Sequence, residues 1–76
     1  MPTGRLLILD DEPSVGETFT YIGEDAGFEC RATTSPTEFF AAVDTWAPTH
    51  IAVDLIMPEM DGVEVLRLLA ERRCDA

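Results

Sequence analysis

Three acids stand side by side in the stretch LILDDEPS: Asp10, Asp11 and Glu12, directly after an apolar run. A further acid, Asp54, interrupts the otherwise apolar stretch THIAVDLI. A buried carboxylate without a partner is costly. Carboxylates gathered in one place raise one another's pKa unless a cation sits among them. A hard divalent cation with oxygen ligands removes both difficulties. Mg2+ suits such a set, because it binds through one or two carboxylates and keeps several waters. Helix capping is the competing reading for Asp10, Asp11 or Glu12, since short acids are favoured at that position. Asp54, inside an apolar strand, is harder to account for structurally. Glu59 and Asp61 read as solvated loop acids.

The elements that must position these acids follow from local pattern. Arg5 to Leu9 is a short apolar run that fits a strand buried on both faces. Pro13 suits the first turn of a helix. Val15, Phe19, Ile22 and Ala26 then recur at helical spacing as one apolar stripe. Gly16 and Gly23 weaken that helix by about 1 kcal/mol each relative to Ala, and Gly27 ends it. Phe28 to Thr33 alternates large and polar residues, as a more exposed strand does. Ser35-Pro36-Thr37-Glu38 is a capping box that starts a second helix. Phe39, Phe40, Val43 and Trp46 supply its buried side, and Pro48 closes it.

Thr49 to Ile56 reads as a third strand, with His50 as a strand-entry residue. Residues 57–62 (MPEMDG) form a loop. Val63 to Arg73 is a helix with Val65, Leu66 and Leu69 facing inward. Arg72 and Arg73 sit near its C-terminus, where the helix dipole favours cations. Strand and helix alternate three times, which implies an α/β fold with a parallel sheet and right-handed crossovers. In such sheets ligands bind beyond the carboxyl ends of the strands. If the first and third strands are neighbours, Asp10, Asp11 and Asp54 converge on one crevice there.

Composition bounds the function. The 76 residues amount to one small domain, and 46% apolar content argues against disorder. Fifteen acids against five bases give a net charge of −10, which opposes binding to nucleic acid or to anionic membranes. No apolar run approaches the ~20 residues of a membrane helix. The N-terminus, MPTGR, lacks the apolar region of a signal peptide. Cys30 and Cys74 form no CxxC and have no His at metal-ligand spacing. Two free thiols in a reduced cytoplasm are expected.

Taken together, LLILDDEPSV and VDLIMPEMDGVEVL resemble the receiver domain of two-component response regulators, and the resemblance runs the length of residues 1–76. It implies a three-layer, flavodoxin-like (CheY-like) fold with strand order 2-1-3-4-5, of which this stretch supplies β-α-β-α-β-α in the order 2-1-3. It also implies a signalling module and not an enzyme. Asp54 matches the phosphoacceptor, which takes a phosphoryl group from a sensor histidine kinase or phosphotransfer protein. Asp11 matches the direct Mg2+ ligand, and Asp10 the neighbour that acts on the ion through water. Ile56 matches the position whose backbone carbonyl completes the metal site.

The sequence also departs from that pattern. A full receiver continues with two more strands and two more helices, which carry a Ser or Thr and a Lys of the phosphate site. Residues 1–76 contain no lysine. Three readings compete: a fragment of an ordinary receiver, a short chain that completes its core by self-association, and a degenerate receiver that no longer takes phosphate. In the order 2-1-3 the third strand is a long apolar edge, which natural proteins avoid. A homodimer through that edge is therefore expected. Two other functions stand as alternatives: a half-receiver that acts as a dimerisation module without phosphate, and a haloacid-dehalogenase-type hydrolase. The latter needs DxD after the first strand, where this chain has DDE.

Overall fold

The computed structural model describes residues 3–53 and 62–71. The expected strand end at 54–56, the loop 57–61, the helix end at Arg72 and Arg73, and Cys74 all lie outside the described residues. Within them the order is β1 (Gly4–Leu9), α1 (Pro13–Asp25), β2 (Phe28–Thr33), α2 (Pro36–Trp46), β3 (His50–Val53) and α3 (Gly62–Glu71). The three strands form one sheet, parallel as the alternation predicts and in the order β2-β1-β3 that the resemblance implies.

β1 is central because its residues can be buried on both faces. Leu7, Ile8 and Leu9 are completely or almost completely buried, each worth about 1.5–3 kcal/mol relative to exposure. Leu7 and Leu9 join Phe39 and Ala42 of α2 and Val65 and Leu69 of α3 in one core. Ile8 lies between them in the strand, and alternation turns it to the opposite face, toward α1.

α2 starts at its expected N-cap with one half of the capping box formed, the Glu38 carboxylate accepting side-chain hydroxyls in place of the Ser35 N–H. Ser35 Oγ accepts the Glu38 N–H at 3.3 Å, and the Glu38 carboxylate accepts the Thr34 hydroxyl at 3.1 Å. At its other end Ala47 takes a left-handed conformation, φ 53°, one residue before Pro48. Trp46 closes the helix over the sheet, with the Arg31 guanidinium 4.9 Å and that of Arg5 5.7 Å from its ring. Arg5 Nη1 also donates to the Trp46 carbonyl at 2.6 Å, and its Nε lies 3.4 Å from Glu29. His50 opens β3 with its ring edge-on to Phe28, centroids 4.9 Å apart.

Two helices present different faces from those expected. On α1 the apolar stripe is not the buried one: Phe19 is 43% and Ile22 56% exposed, and the buried residues are Gly16 and Gly23. A Cβ at Gly23 would lie 2.5 Å from Cys30 Sγ and 3.0 Å from Leu6 Cδ2. One at Gly16 would lie 3.2 Å from the Ala32 methyl. The glycines, seven residues apart on one face, let the helix backbone rest directly on β1 and β2. Their cost in helix propensity is offset by close packing that no larger residue permits. The Cys30 thiol is pushed up from its ordinary pKa by burial and by Glu24. On α3, Val65 and Leu69 are buried as expected, but Leu66 is 53% exposed. The exposed side of α3 carries Arg67, which bridges Glu64 and Glu71. Hydrogen bonding from Arg67 holds the Glu64 carboxyl below the usual range.

The glycine contact is open to test. Gly23→Ala should gain about 1 kcal/mol of helix propensity yet lower stability overall, by ~1–3 kcal/mol, because overpacking dominates. Cys30→Ala in the same chain should recover part of that loss. Denaturant midpoints of the two single variants and the double variant measure it; an additive cycle would show that Sγ is not the obstacle.

Candidate functional site at the carboxyl rim of the sheet

Parallel strands end on the same rim, and here the register shows which residues meet there. Leu9 at the end of β1 is flanked by Thr33 of β2 and Val53 of β3. Asp10 follows Leu9 in the chain, and Asp54 follows Val53. The backbone N–H of Asp10 extends the β1–β2 ladder by donating to the Thr33 carbonyl at 3.2 Å. Thr33 itself is buried, and its hydroxyl donates to the Ile8 carbonyl at 2.6 Å. That hydrogen bond ties the two strand ends together immediately beneath Asp10. Sequence reading missed the role of Thr33; a β-branched hydroxyl at a strand end was the available signal.

The acidic triplet divides by environment. Asp10 is half-buried, and Asp11 and Glu12 are exposed. Asp10 Oδ1 accepts the Glu12 N–H at 2.9 Å, the side-chain turn that aspartate forms with the backbone two residues on. The turn redirects the chain from β1 into α1. Glu12 is the N-cap residue of α1, but its side chain makes no capping hydrogen bond, and Pro13 follows in the first turn. The Glu12 carbonyl accepts the N–H groups of Val15 and Gly16 at 3.1 and 3.4 Å. Capping by a side chain of the triplet is therefore not what holds these acids at this position; Asp10 makes a turn, not a cap.

No cation balances them among the described residues. The ion pairs there join Arg5 to Glu29 and Arg67 to Glu64 and Glu71, away from the rim. Asp10, Asp11 and Glu12 also do not gather into a ligand set by themselves. Among the described residues no three His, Cys, Asp or Glu side chains could together hold a metal ion. The two remaining members of the expected set, Asp54 and the backbone carbonyl of Ile56, lie outside the described residues.

Comparison with known proteins identifies the arrangement. The sequence model described as response regulator receiver domain matches residues 6–75. This chain belongs to the response regulator receiver family. Its sequence is 32% identical over 65 residues to the DNA-binding response regulator MtrA of Mycolicibacterium smegmatis, covering 86% of this chain and 28% of that protein. It is 40% identical over 72 residues to protein-glutamate methylesterase/protein-glutamine glutaminase 2 of Rhodospirillum rubrum, covering 91% of this chain and 20% of that protein. The N-terminal domain of a response regulator receiver protein from Methanoculleus marisnigri JR1 superposes with a TM-score of 0.85 at 26% identity, over 96% of this chain and 60% of that one.

The chain thus spans under a third of the length of these curated relatives. Receiver domains are signalling domains that interact with histidine kinases or phosphotransfer proteins, and they generally bind Mg2+ at the phosphorylation site. The receiver fold, with its order β2-β1-β3, stands as the sequence predicts. No helix among the described residues is long and apolar enough to cross a membrane.

The turn made by Asp10 can be separated from any role of its charge. Asp10→Asn keeps an oxygen for the Glu12 N–H and should leave stability nearly unchanged. Asp10→Ala removes it and should cost about 0.5–1.5 kcal/mol. Equal denaturation midpoints for the two variants would refute the structural role.

Proposed function

We propose that this receiver takes a phosphoryl group on Asp54 from the phosphohistidine of a sensor histidine kinase or phosphotransfer protein. The observation that carries the reading is the register of β1 and β3. Leu9 pairs with Val53, which supports a common rim for the residues that follow them, Asp10 and Asp54. In the transfer, an Asp54 carboxylate oxygen bonds to phosphorus as the P–N bond breaks. The bonding electrons leave with the imidazole nitrogen, and the product is an aspartyl phosphate. The chain then acts as a switch read by other surfaces, not as an enzyme with a released product. The cytoplasm, where such kinases work, is the expected compartment, and the −10 charge disfavours nucleic-acid contact by this segment.

Asp10, Asp11, Asp54 and the Ile56 backbone carbonyl would hold the Mg2+. The donors suit the ion: all are hard oxygens, and no arginine neutralises the described ones. Asp10 commits one oxygen to the Glu12 N–H, so its carboxylate is oriented and its second oxygen remains for a bound water. Asp11, exposed beside it, is free to bind directly. Once bound, the ion would supply positive charge to offset the negative charge on the phosphoryl oxygens.

Calorimetric titration with millimolar Mg2+ should show binding that Asp11→Ala or Asp54→Ala weakens by at least ~10-fold. Acetyl phosphate with Mg2+ should add one phosphoryl group by intact mass, and Asp54→Asn should take none. Heat unchanged by both alanine variants would refute the metal set, and an adduct surviving Asp54→Asn would refute the acceptor.

The partner reading extends to self-association. Among the described residues β3 pairs with β1 on one side only, and its Ile51 and Val53 are half-buried. A polypeptide of residues 1–76 is expected to dimerise by pairing its third strands antiparallel about a two-fold axis. Sedimentation velocity should show a concentration-dependent dimer in the micromolar range; a folded monomer throughout would overturn this.

A further inference from the structure

A groove of about 480 Å³ runs between α1 and the last residues of β2, on the side of the sheet away from β3. Its helical wall is a single stripe at i, i+3 and i+4 spacing, from Pro13 through Gly16, Glu17, Thr20 and Tyr21 to Glu24. The floor is apolar where Gly16 meets the Ala32 methyl. Tyr21, 75% exposed, adds an aromatic wall. Among the described residues three carboxylates border the groove, Asp10 at the rim end and Glu17 and Glu24 along the helix, and no basic residue lines it. The described arginines are engaged elsewhere, with Glu29, Trp46, Glu64 and Glu71.

We infer that this groove docks a basic, extended segment of a partner protein, with arginine stems on the Gly16–Ala32 floor and guanidinium groups at Glu17 and Glu24. The chemistry matches on each count. Long basic side chains cover apolar surface with their stems while their heads stay wet. Arginine pairs with carboxylates through parallel hydrogen bonds and is attracted to the face of a tyrosine ring. The dimensions match a chain and not a single ion. From Pro13 to Glu24 the helix rises about 16 Å, the length of roughly five extended residues. Among the described residues β2 pairs with β1 alone, so its other side lies beside the groove and can accept an extended backbone. The inference does not rest on phosphate transfer or on Mg2+, because Glu17, Tyr21 and Glu24 take no part in either.

The test is a titration of 15N-labelled residues 1–76, without Mg2+, followed by amide chemical shifts. The probes are the peptide Ac-Arg-Val-Arg-Val-Arg-NH2, its Glu-Val-Glu-Val-Glu counterpart, and spermidine. The arginine peptide should shift the Gly16, Thr20, Tyr21 and Ala32 amides saturably, and the acidic peptide should not. Glu17→Gln with Glu24→Gln should weaken binding by about tenfold or more. Asp25→Asn, equal in charge change per site but outside the groove, should leave it unaltered. Both glutamates are exposed, so unchanged shifts elsewhere in the spectrum verify that the double variant is folded. The inference is overturned if those amides do not move, if Asp25→Asn weakens binding as much as the double variant, or if spermidine saturates the same amides as well as the peptide does. The last result would assign the groove to small polyamines.

Discussion

Everything in this molecule depends on β1 being paired on both sides. A strand flanked in parallel by two others must be apolar on both faces, and Leu7, Ile8 and Leu9 meet that demand. Parallel pairing also sets polarity. All three strands run out on one rim, so Leu9, Thr33 and Val53 end side by side there. The core is therefore not only a source of stability. It determines that the acids after Leu9 arrive beside the ends of the neighbouring strands, where no side chain of β1 itself could reach.

Much of this was legible beforehand, and the parts that were not have identifiable physical reasons. The alternation of elements followed from apolar run lengths and from turn and cap residues such as Pro13, Ser35 and Gly27, whereas the strand order came from the resemblance to receiver domains and not from any local pattern. The face of α1 did not. Apolar periodicity favours Phe19 and Ile22 as the inner residues, but periodicity records what benefits from burial and not how near a helix can come. Gly16 and Gly23 are buried because β2 approaches the helix backbone itself, and a residue with no side chain carries no hydrophobic signal. Leu66 was misplaced for a related reason: on a short helix one step of rotation separates Val65 and Leu69 from their neighbours.

At the site, residue types were easier to read than roles. The acids Asp10 and Asp11 stand at the rim as the pattern requires, but the turn that Asp10 makes with Glu12 was only one of several local bonds the triplet could have formed. The Thr33 hydroxyl bond to Ile8 depends on the register between two strands, information that no single strand contains. Family membership supplied what spacing alone does not: it distinguishes a receiver from other folds that use strand-end aspartates and Mg2+.

The placement of Trp46 has a practical consequence. It is the single tryptophan of the chain, and two guanidinium groups from different strands approach its ring. Its emission therefore reports whether the last turn of α2 is seated on the amino-terminal half of the sheet. Events confined to the opposite, acidic end should leave that fluorescence dark to them, so a change in indole signal on adding a ligand would mean that the disturbance has crossed the whole sheet.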